Sequence, residues 1–281
     1  MNVPMTNLSS LNNRSLGLLG AGNMAEALVR GVLSSGAIPK NKIIASDVSA
    51  DRRTFFEQTL GIKTTADNDQ VVAFADLLVL CVKPQTVEAV LGQISGLFRS
   101  ERHVLASICA GVPTARLEKT LPTGAHVIRV MPNTPMLVGL GASCLCPGKF
   151  SSEEDLAAVE TLFASASVTL RVSENLMDAV TGLSGSGPAY LFYLVEAMVD
   201  AGIAEGFTRE QALVLASRTV LGAAKMLEET RLPPEELRKR VTSPNGTTQA
   251  AIEKMDAEGV KEKITVAIRR AAERSRELGR Q

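Results

Sequence analysis

Residues 16–25 read Leu-Gly-Leu-Leu-Gly-Ala-Gly-Asn-Met-Ala, and no other stretch narrows the fold of this chain so far. An apolar run of strand length meets Gly20, Gly22 and Ala25 in the spacing G-x-G-x-x-A. Each small residue has a steric task. The first permits a tight turn, the second lets backbone approach a pyrophosphate, and the third lets a helix pack closely on the strand. The helix that follows would offer unpaired N–H groups and a partial positive charge to phosphates. The same spacing also fits an ordinary strand-to-helix turn, so its meaning depends on whether further βα units follow.

They do. The first helix is expected to run to about residue 35, a second strand occupies 42–47, and a third βα unit lies near 62–74. Residues 76–82 form an almost wholly apolar run, as expected of a central parallel strand covered on both faces. Segments 104–109 and 126–130 repeat the theme, and a helix from near Ser151 leads to a last strand at about 168–172. Alternation of this kind predicts an α/β fold with a Rossmann-like, doubly wound sheet.

Ligands of such sheets bind outside the carboxyl ends of the strands. Three segments fall there: Val82-Lys83-Pro84-Gln85, Cys109-Ala110-Gly111-Val112 and Met131-Pro132-Asn133-Thr134-Pro135. Ala110 and Gly111 are small enough for a flat ring or a ribose to lie on their backbone. Lys83, between an apolar strand and a proline, reads either as a cofactor contact or as a solvated surface lysine. The end of strand two bears on which dinucleotide fits, because an acid there binds ribose hydroxyls whereas a small hydroxyl near an arginine accepts a 2′-phosphate. Ser46 precedes Asp47, with Arg52 and Arg53 a turn into the next helix. Ser46 in the critical place favours NADPH and Asp47 favours NADH; the reading leans to NADPH.

Beyond residue 174 the strand pattern vanishes, and Pro188, Pro233, Pro234 and Pro244 punctuate what reads as helix. Two helices, at 188–201 and 209–227, are apolar nearly all round, with Leu191, Leu194 and Met198 in one and Leu213, Val214 and Leu221 in the other. A helix without a polar face must be covered on all sides. A short helical tail buries too small a fraction of its surface to hide both, so a second copy of the chain is the expected cover.

Composition excludes other classes. Thirty basic and thirty acidic side chains cancel, which leaves no overall field for nucleic acid or an anionic membrane. The apolar runs at 77–82 and 189–195 are far shorter than the roughly 20 residues a bilayer crossing needs. The polar tail at 1–13 lacks the plan of a signal peptide, so a cytoplasmic protein is expected. Four cysteines and two histidines show no zinc spacing. Buried free thiols, no disulfide and no metal are the expectation.

Between the helices lies Val241-Thr242-Ser243-Pro244-Asn245-Gly246-Thr247-Thr248, rich in hydroxyls and free of charge. Asn245 and Gly246 can both take left-handed backbone angles, so the loop could curl its N–H groups into a carboxylate or phosphate receptor before the helix that starts near Thr247. A plain capped helix start fits these residues equally well.

Gly-Ala-Gly-Asn-Met at 20–24, Val-Lys-Pro-Gln at 82–85, Met-Pro-Asn-Thr-Pro at 131–135, Gly-Ser-Gly-Pro-Ala-Tyr at 185–190, Leu-Gly-Ala-Ala-Lys-Met at 221–226 and Thr-Ser-Pro-Asn-Gly-Thr-Thr at 242–248 together resemble the pyrroline-5-carboxylate reductases. The blocks stand in that family's order and spacing, and the last is the most specific. The resemblance implies reduction of 1-pyrroline-5-carboxylate to L-proline, the final step of proline synthesis, by hydride from NADPH, with NADH also possible. It implies that Leu19, Gly20, Ala21, Gly22, Asn23 and Met24 hold the pyrophosphate. Ser46 would sit by the adenosine ribose or its phosphate with Arg52 near, and Asn68 near the adenine. Val82, Lys83, Pro84, Ala110 and Gly111 would approach the ribose and nicotinamide. Glu174, Ser243, Gly246, Thr247 and Thr248 would bind substrate, with the Thr248 hydroxyl meeting the ring nitrogen as the catalytic contact. The domain plan that results is a tail at 1–13, a nucleotide-binding domain at 14–173 and an all-α dimerisation and substrate domain at 174–281. A homodimer is implied, often built into a decamer. Asn245 stands where the family often has glycine, and its tolerance of left-handed angles should preserve the loop. A rival, the β-hydroxyacid dehydrogenase type, needs a base, usually a lysine on a helix after a glycine-rich turn. Here Pro188, Ala189 and Tyr190 follow that turn and no lysine comes until Lys225.

Overall fold

The computed structural model describes residues 11 and 13–279, so the expected tail at 1–13 lies almost wholly outside the described residues. Among the described residues the strands are β1 (Leu16–Leu19), β2 (Ile43–Ser46), β3 (Lys63–Thr65), β4 (Leu77–Leu80), β5 (Val104–Ser107), β6 (His126–Met131), β7 (Gly141–Pro147) and β8 (Ser167–Arg171). They form one sheet in the order β3-β2-β1-β4-β5-β6-β7-β8. β1 through β6 are parallel, β7 runs antiparallel to β6, and β8 is parallel to β7. β1, β2, β4 and β5 are buried at every residue, which is why they read as unbroken apolar runs.

The antiparallel β7 departs from the sequence reading, which placed no strand between the Met-Pro-Asn-Thr-Pro loop and the helix near Ser151. Its Gly-Ala-Ser-Cys-Leu-Cys sequence holds few of the branched and aromatic residues that mark strands. Tertiary bonds fix it instead: Asn133 Oδ1 accepts from the Ala142 N–H at 2.8 Å, and the Ala166 carbonyl from the Gly141 N–H at 3.0 Å.

Helices α1 (Asn23–Ser35), α2 (Ala50–Phe55, continued by a wider turn at Phe56–Leu60), α3 (Asn68–Phe74), α4 (Val87–Ile94), α5 (Thr114–Thr120) and α6 (Glu153–Ala164) cover the sheet. Two apolar cores result. Leu16, Leu18, Leu28 and Phe163 belong to one and Leu19, Leu78, Val71 and Leu91 to the other, so the period of two along β1 divides its side chains between the faces. Gly17 is demanded by packing: a Cβ there would stand 2.6 Å from Val71 Cγ1 and 2.7 Å from Ala75 Cβ. α6 starts on a capping box, in which Ser152 and Asp155 satisfy each other's backbone N–H groups.

The remaining helices are α7 (Met177–Val180, followed by a wider turn at Thr181–Gly185), α8 (Gly187–Ala204), α9 (Arg209–Thr230), α10 (Pro234–Arg240), α11 (Thr247–Ala257) and α12 (Val260–Gly279). The chain divides into compact units at Gly185–Ser186 and at Arg270–Ala271, later than the expected boundary at 173–174, and the last turns of α12 belong with the sheet. In the helical unit α8 and α9 share a small core of Val199, Ala212 and Ala216, and Gly202 brings the two backbones close. Most of their apolar surface stays uncovered: Phe192 is 65% exposed, Tyr193 75% and Val214 57%. A single chain does not bury these helices, as their sequence predicts. No helix among the described residues is long and apolar enough to cross a membrane.

Two outcomes follow. Gly17→Val should lower stability by about 1–3 kcal/mol, the usual cost of overpacking, read as a fall in the urea midpoint at constant slope. Phe192→Asp should shift the native mass in size-exclusion chromatography with light scattering to that of a smaller species; an unchanged mass would remove Phe192 from the covered surface.

Candidate active site

The glycine turn joins β1 to α1. Gly20 has φ +104°, and a Cβ there would lie 2.8 Å from the Cys81 carbonyl oxygen, so both dihedral and space require glycine. Gly22 is the N-cap of α1 without a side-chain cap, and nothing lies within 4 Å of where its Cβ would be. The Asn23 and Met24 amides open a helix of 13 residues and have no carbonyl to bond within it. Open approach, free amides and a helix dipole together fit the pyrophosphate of NAD(P)H. Ala25, fully buried, seats α1 on the sheet.

At the end of β2 the sequence-predicted residues meet, in a way the sequence does not spell out. Ser46 is buried, and its hydroxyl donates to Asn68 Oδ1 at 2.6 Å. Asn68 Nδ2 donates in turn to Gln93 Oε1 at 2.9 Å. Arg52 Nε donates to the Ala21 carbonyl at 2.7 Å, and Arg52 Nη2 pairs with Glu26 Oε2 at 3.1 Å. Asp47, outside the predicted set of contacts, accepts the Ala21 and Ser49 N–H groups, each at 2.8 Å. The Asp-Val-Ser order is the signal for that second bond, an aspartate accepting from the amide two residues on.

Outside β4, Val82 is half-buried and Lys83 exposed, at the start of a single turn at Pro84–Thr86. The Cys109 thiol donates to the Val82 carbonyl at 3.2 Å. Burial pushes this thiol up to about 11, and burial also holds the Cys81 thiol well above its ordinary value. Both stay protonated at neutral pH, so neither supplies a thiolate nucleophile. Ala110 is half-buried, whereas Gly111, at φ +76°, is covered by the end of α12: a Cβ on it would meet the Ser275 carbonyl oxygen at 2.9 Å.

Glu174 stands in a network that sequence reasoning did not foresee. Its Oε1 accepts from Arg129 Nη1 at 2.5 Å and its Oε2 from Thr114 Oγ1 at 2.8 Å. Arg129, buried in β6, also reaches Asp178 Oδ1 at 3.4 Å, and the same oxygen accepts from Ser275 Oγ at 2.6 Å. The arginine in an apolar strand, His-Val-Ile-Arg-Val-Met, was the available signal, since such a charge is kept only where carboxylates answer it.

In the helical unit Asn245 has φ +56°, the left-handed value expected of it, while Gly246 is extended at φ −87° and not left-handed. A Cβ at Gly246 would collide with Ser243 Oγ and stand 3.1 Å from the Ser243 carbonyl oxygen, so a larger residue would make the Ser243 hydroxyl turn away. Two loop amides are already engaged: Asn245 N–H by Gln249 Oε1 at 2.8 Å and Gly246 N–H by the Ser243 carbonyl at 3.0 Å. The free donors are therefore the first-turn amides of α11, together with the hydroxyls of Ser243, Thr247 and Thr248, for which no partner exists among the described residues.

Comparison with known proteins gives this geometry its context. Residues 174–278 match the family model described as pyrroline-5-carboxylate reductase dimerisation, and residues 15–111 match NADP oxidoreductase coenzyme F420-dependent. The pyrroline-5-carboxylate reductase of Methanosarcina acetivorans is 44% identical over 96% of this chain and all of its own length. That of Arabidopsis thaliana is 42% identical over 94% of this chain and 95% of its own. The solved reductase from Coxiella burnetii superposes with a TM-score of 0.88 at 35% identity, covering 95% of this chain and 99% of that one. The Plasmodium falciparum enzyme, solved with NADP bound, gives 0.86 at 29% identity, covering 95% and 98%. With identities of 44% and 42% to relatives matched over nearly their whole length, and the dimerisation model matched at residues 174–278, the chain belongs to the pyrroline-5-carboxylate reductase family.

Proposed function

We propose that this reductase converts 1-pyrroline-5-carboxylate to L-proline chiefly by positioning, with no strong acid or nucleophile of its own at the reacting atoms. NAD(P)H supplies the hydride. An imine protonated on nitrogen is already a good acceptor, so the residues need only bring donor and acceptor carbon to roughly 3–3.5 Å. Leu19, Gly20, Ala21, Gly22, Asn23 and Met24 hold the pyrophosphate in this reading. Ser46, Asn68 and Arg52 shape the adenosine end, and Val82, Lys83, Pro84 and Ala110 the nicotinamide end; Gly111, expected there, is instead covered by the end of α12.

The observation that carries the substrate assignment is the Thr242–Thr248 loop, which lacks any charge yet presents the hydroxyls of Ser243, Thr247 and Thr248, without partners among the described residues, at the start of an 11-residue helix. Ser243, Thr247 and the first-turn amides receive the substrate carboxylate, Gly246, its N–H already given to Ser243, keeps the loop's shape, and the Thr248 hydroxyl meets the ring nitrogen. Glu174, its carboxylate held by Arg129 and Thr114, is a further substrate-binding residue in this reading. The reading extends to a homodimer joined through α8 and α9, further assembled to a decamer, and to the cytoplasm, where four free thiols are at home.

Thr248→Ala should lower kcat/KM for pyrroline-5-carboxylate by roughly ten- to a hundredfold, the worth of one hydrogen bond to a charged group, about 1.5–3 kcal/mol. Dissociation constants for NADP+ should stay as in the parent, and an undiminished rate would remove Thr248 from the mechanism. Sedimentation of the parent enzyme should give a mass near ten chains; a dimer alone would refute the higher assembly.

A further inference from the structure

The peptide of Ala21, between the two glycines, is gripped from both sides by the segment that follows β2. Its N–H donates to Asp47 Oδ2 at 2.8 Å, and its carbonyl accepts from Arg52 Nε at 2.7 Å. The second oxygen of Asp47 holds the Ser49 N–H at 2.8 Å. An acid at the end of strand two ordinarily reads the adenosine ribose through its two oxygens. Here each oxygen carries a backbone amide, which fixes the carboxylate against the glycine turn and offsets part of its charge.

The two arginines differ in the same respect. Arg52 is paired with Glu26 at 3.1 Å and lies 4.9 Å over the Phe55 ring. Arg53 donates through Nη1 alone, to the Asp47 carbonyl at 2.7 Å and the Val48 carbonyl at 3.1 Å. Its guanidinium pairs with no carboxylate among the described residues, although backbone bonds anchor it to the loop where the adenosine ribose of a dinucleotide on this turn would lie.

We propose that Asp47 is a positioning residue for the pyrophosphate turn rather than a reader of the ribose, and that Arg53 is the residue that favours a 2′-phosphate, so that NADPH is preferred although an acid ends strand two. This rests on the assignment of the turn to NAD(P)H. The guanidinium, with no carboxylate partner among the described residues, attracts the added phosphate charge, while the two backbone bonds to Asp47 hold its carboxylate toward the glycine turn and weaken its pull on the ribose hydroxyls.

Calorimetric titration of the full-length protein with NADP+, NAD+ and 2′-AMP tests it. Asp47→Ala should weaken NADP+ and NAD+ alike, by about tenfold, the scale of a charge-assisted hydrogen bond. 2′-AMP, which has no pyrophosphate, should bind as to the parent. Arg53→Ala should weaken NADP+ and 2′-AMP by about tenfold and leave NAD+ unchanged. If Asp47→Ala weakens NAD+ while tightening NADP+, Asp47 reads the ribose and the proposal is wrong; an unaltered NADP+ to NAD+ ratio in Arg53→Ala also overturns it. Asp47→Asn, which keeps one acceptor oxygen, is judged by the same ratio should the alanine variant fail to fold. A parent protein that binds neither dinucleotide would instead defeat the assignment of the turn itself.

Discussion

Everything in the sheet-bearing unit is referred to the contact between Gly20 and the Cys81 carbonyl, where a side chain would stand 2.8 Å from backbone oxygen. That approach, with φ +104°, lets β1 end abruptly between β2 and β4 and turn straight into α1. Gly22 is then left at the helix start with clear space above it, and the amides that follow point at whatever occupies that space. Displacing this one turn would move the amides, the end of β2 and the start of the segment after β4 together, because Gly20 bonds to the Ser46 carbonyl and Cys81 to the Leu19 carbonyl.

Much of the fold was legible in the sequence because parallel strands covered on both faces leave nearly unbroken apolar runs, and Leu-Leu-Val-Leu at β4 leaves little else to read. The uncovered faces of α8 and α9 were legible for the same reason, since a helix without a polar side has to be covered. β7 was not legible. Its residues carry little strand preference, and the side chain of Asn133 and the edge of β8 place it. The return of the end of α12 onto Gly111 was also hidden, because no local signal announces it.

The site was legible in its residue types more than in its bonds. The glycines of the dinucleotide turn and the left-handed Asn245 followed from local chemistry, whereas the bond between Ser46 and Asn68 did not. The partners of charged residues did not, because Asp47, Arg52, Arg129 and Glu174 find them across sequence separations that no spacing rule covers. Sequence alone thus casts Ser46 and Arg52 as cofactor contacts, while the structure adds that each already holds a neighbour. Charges that look free in a sequence are the ones most often tied in a fold, since a half-buried ion is costly without a partner.

In the proposed function the glycine turn holds the reagent and a loop without charge holds the acceptor. The most direct test is to follow a deuterium label from the reactive position of NADPH in the presence of full-length protein and chemically prepared pyrroline-5-carboxylate. The account predicts oxidation of the dinucleotide and L-proline labelled at the ring carbon on the far side of nitrogen from the carboxylate-bearing carbon. Folded protein that binds NADPH yet yields no labelled proline would contradict it.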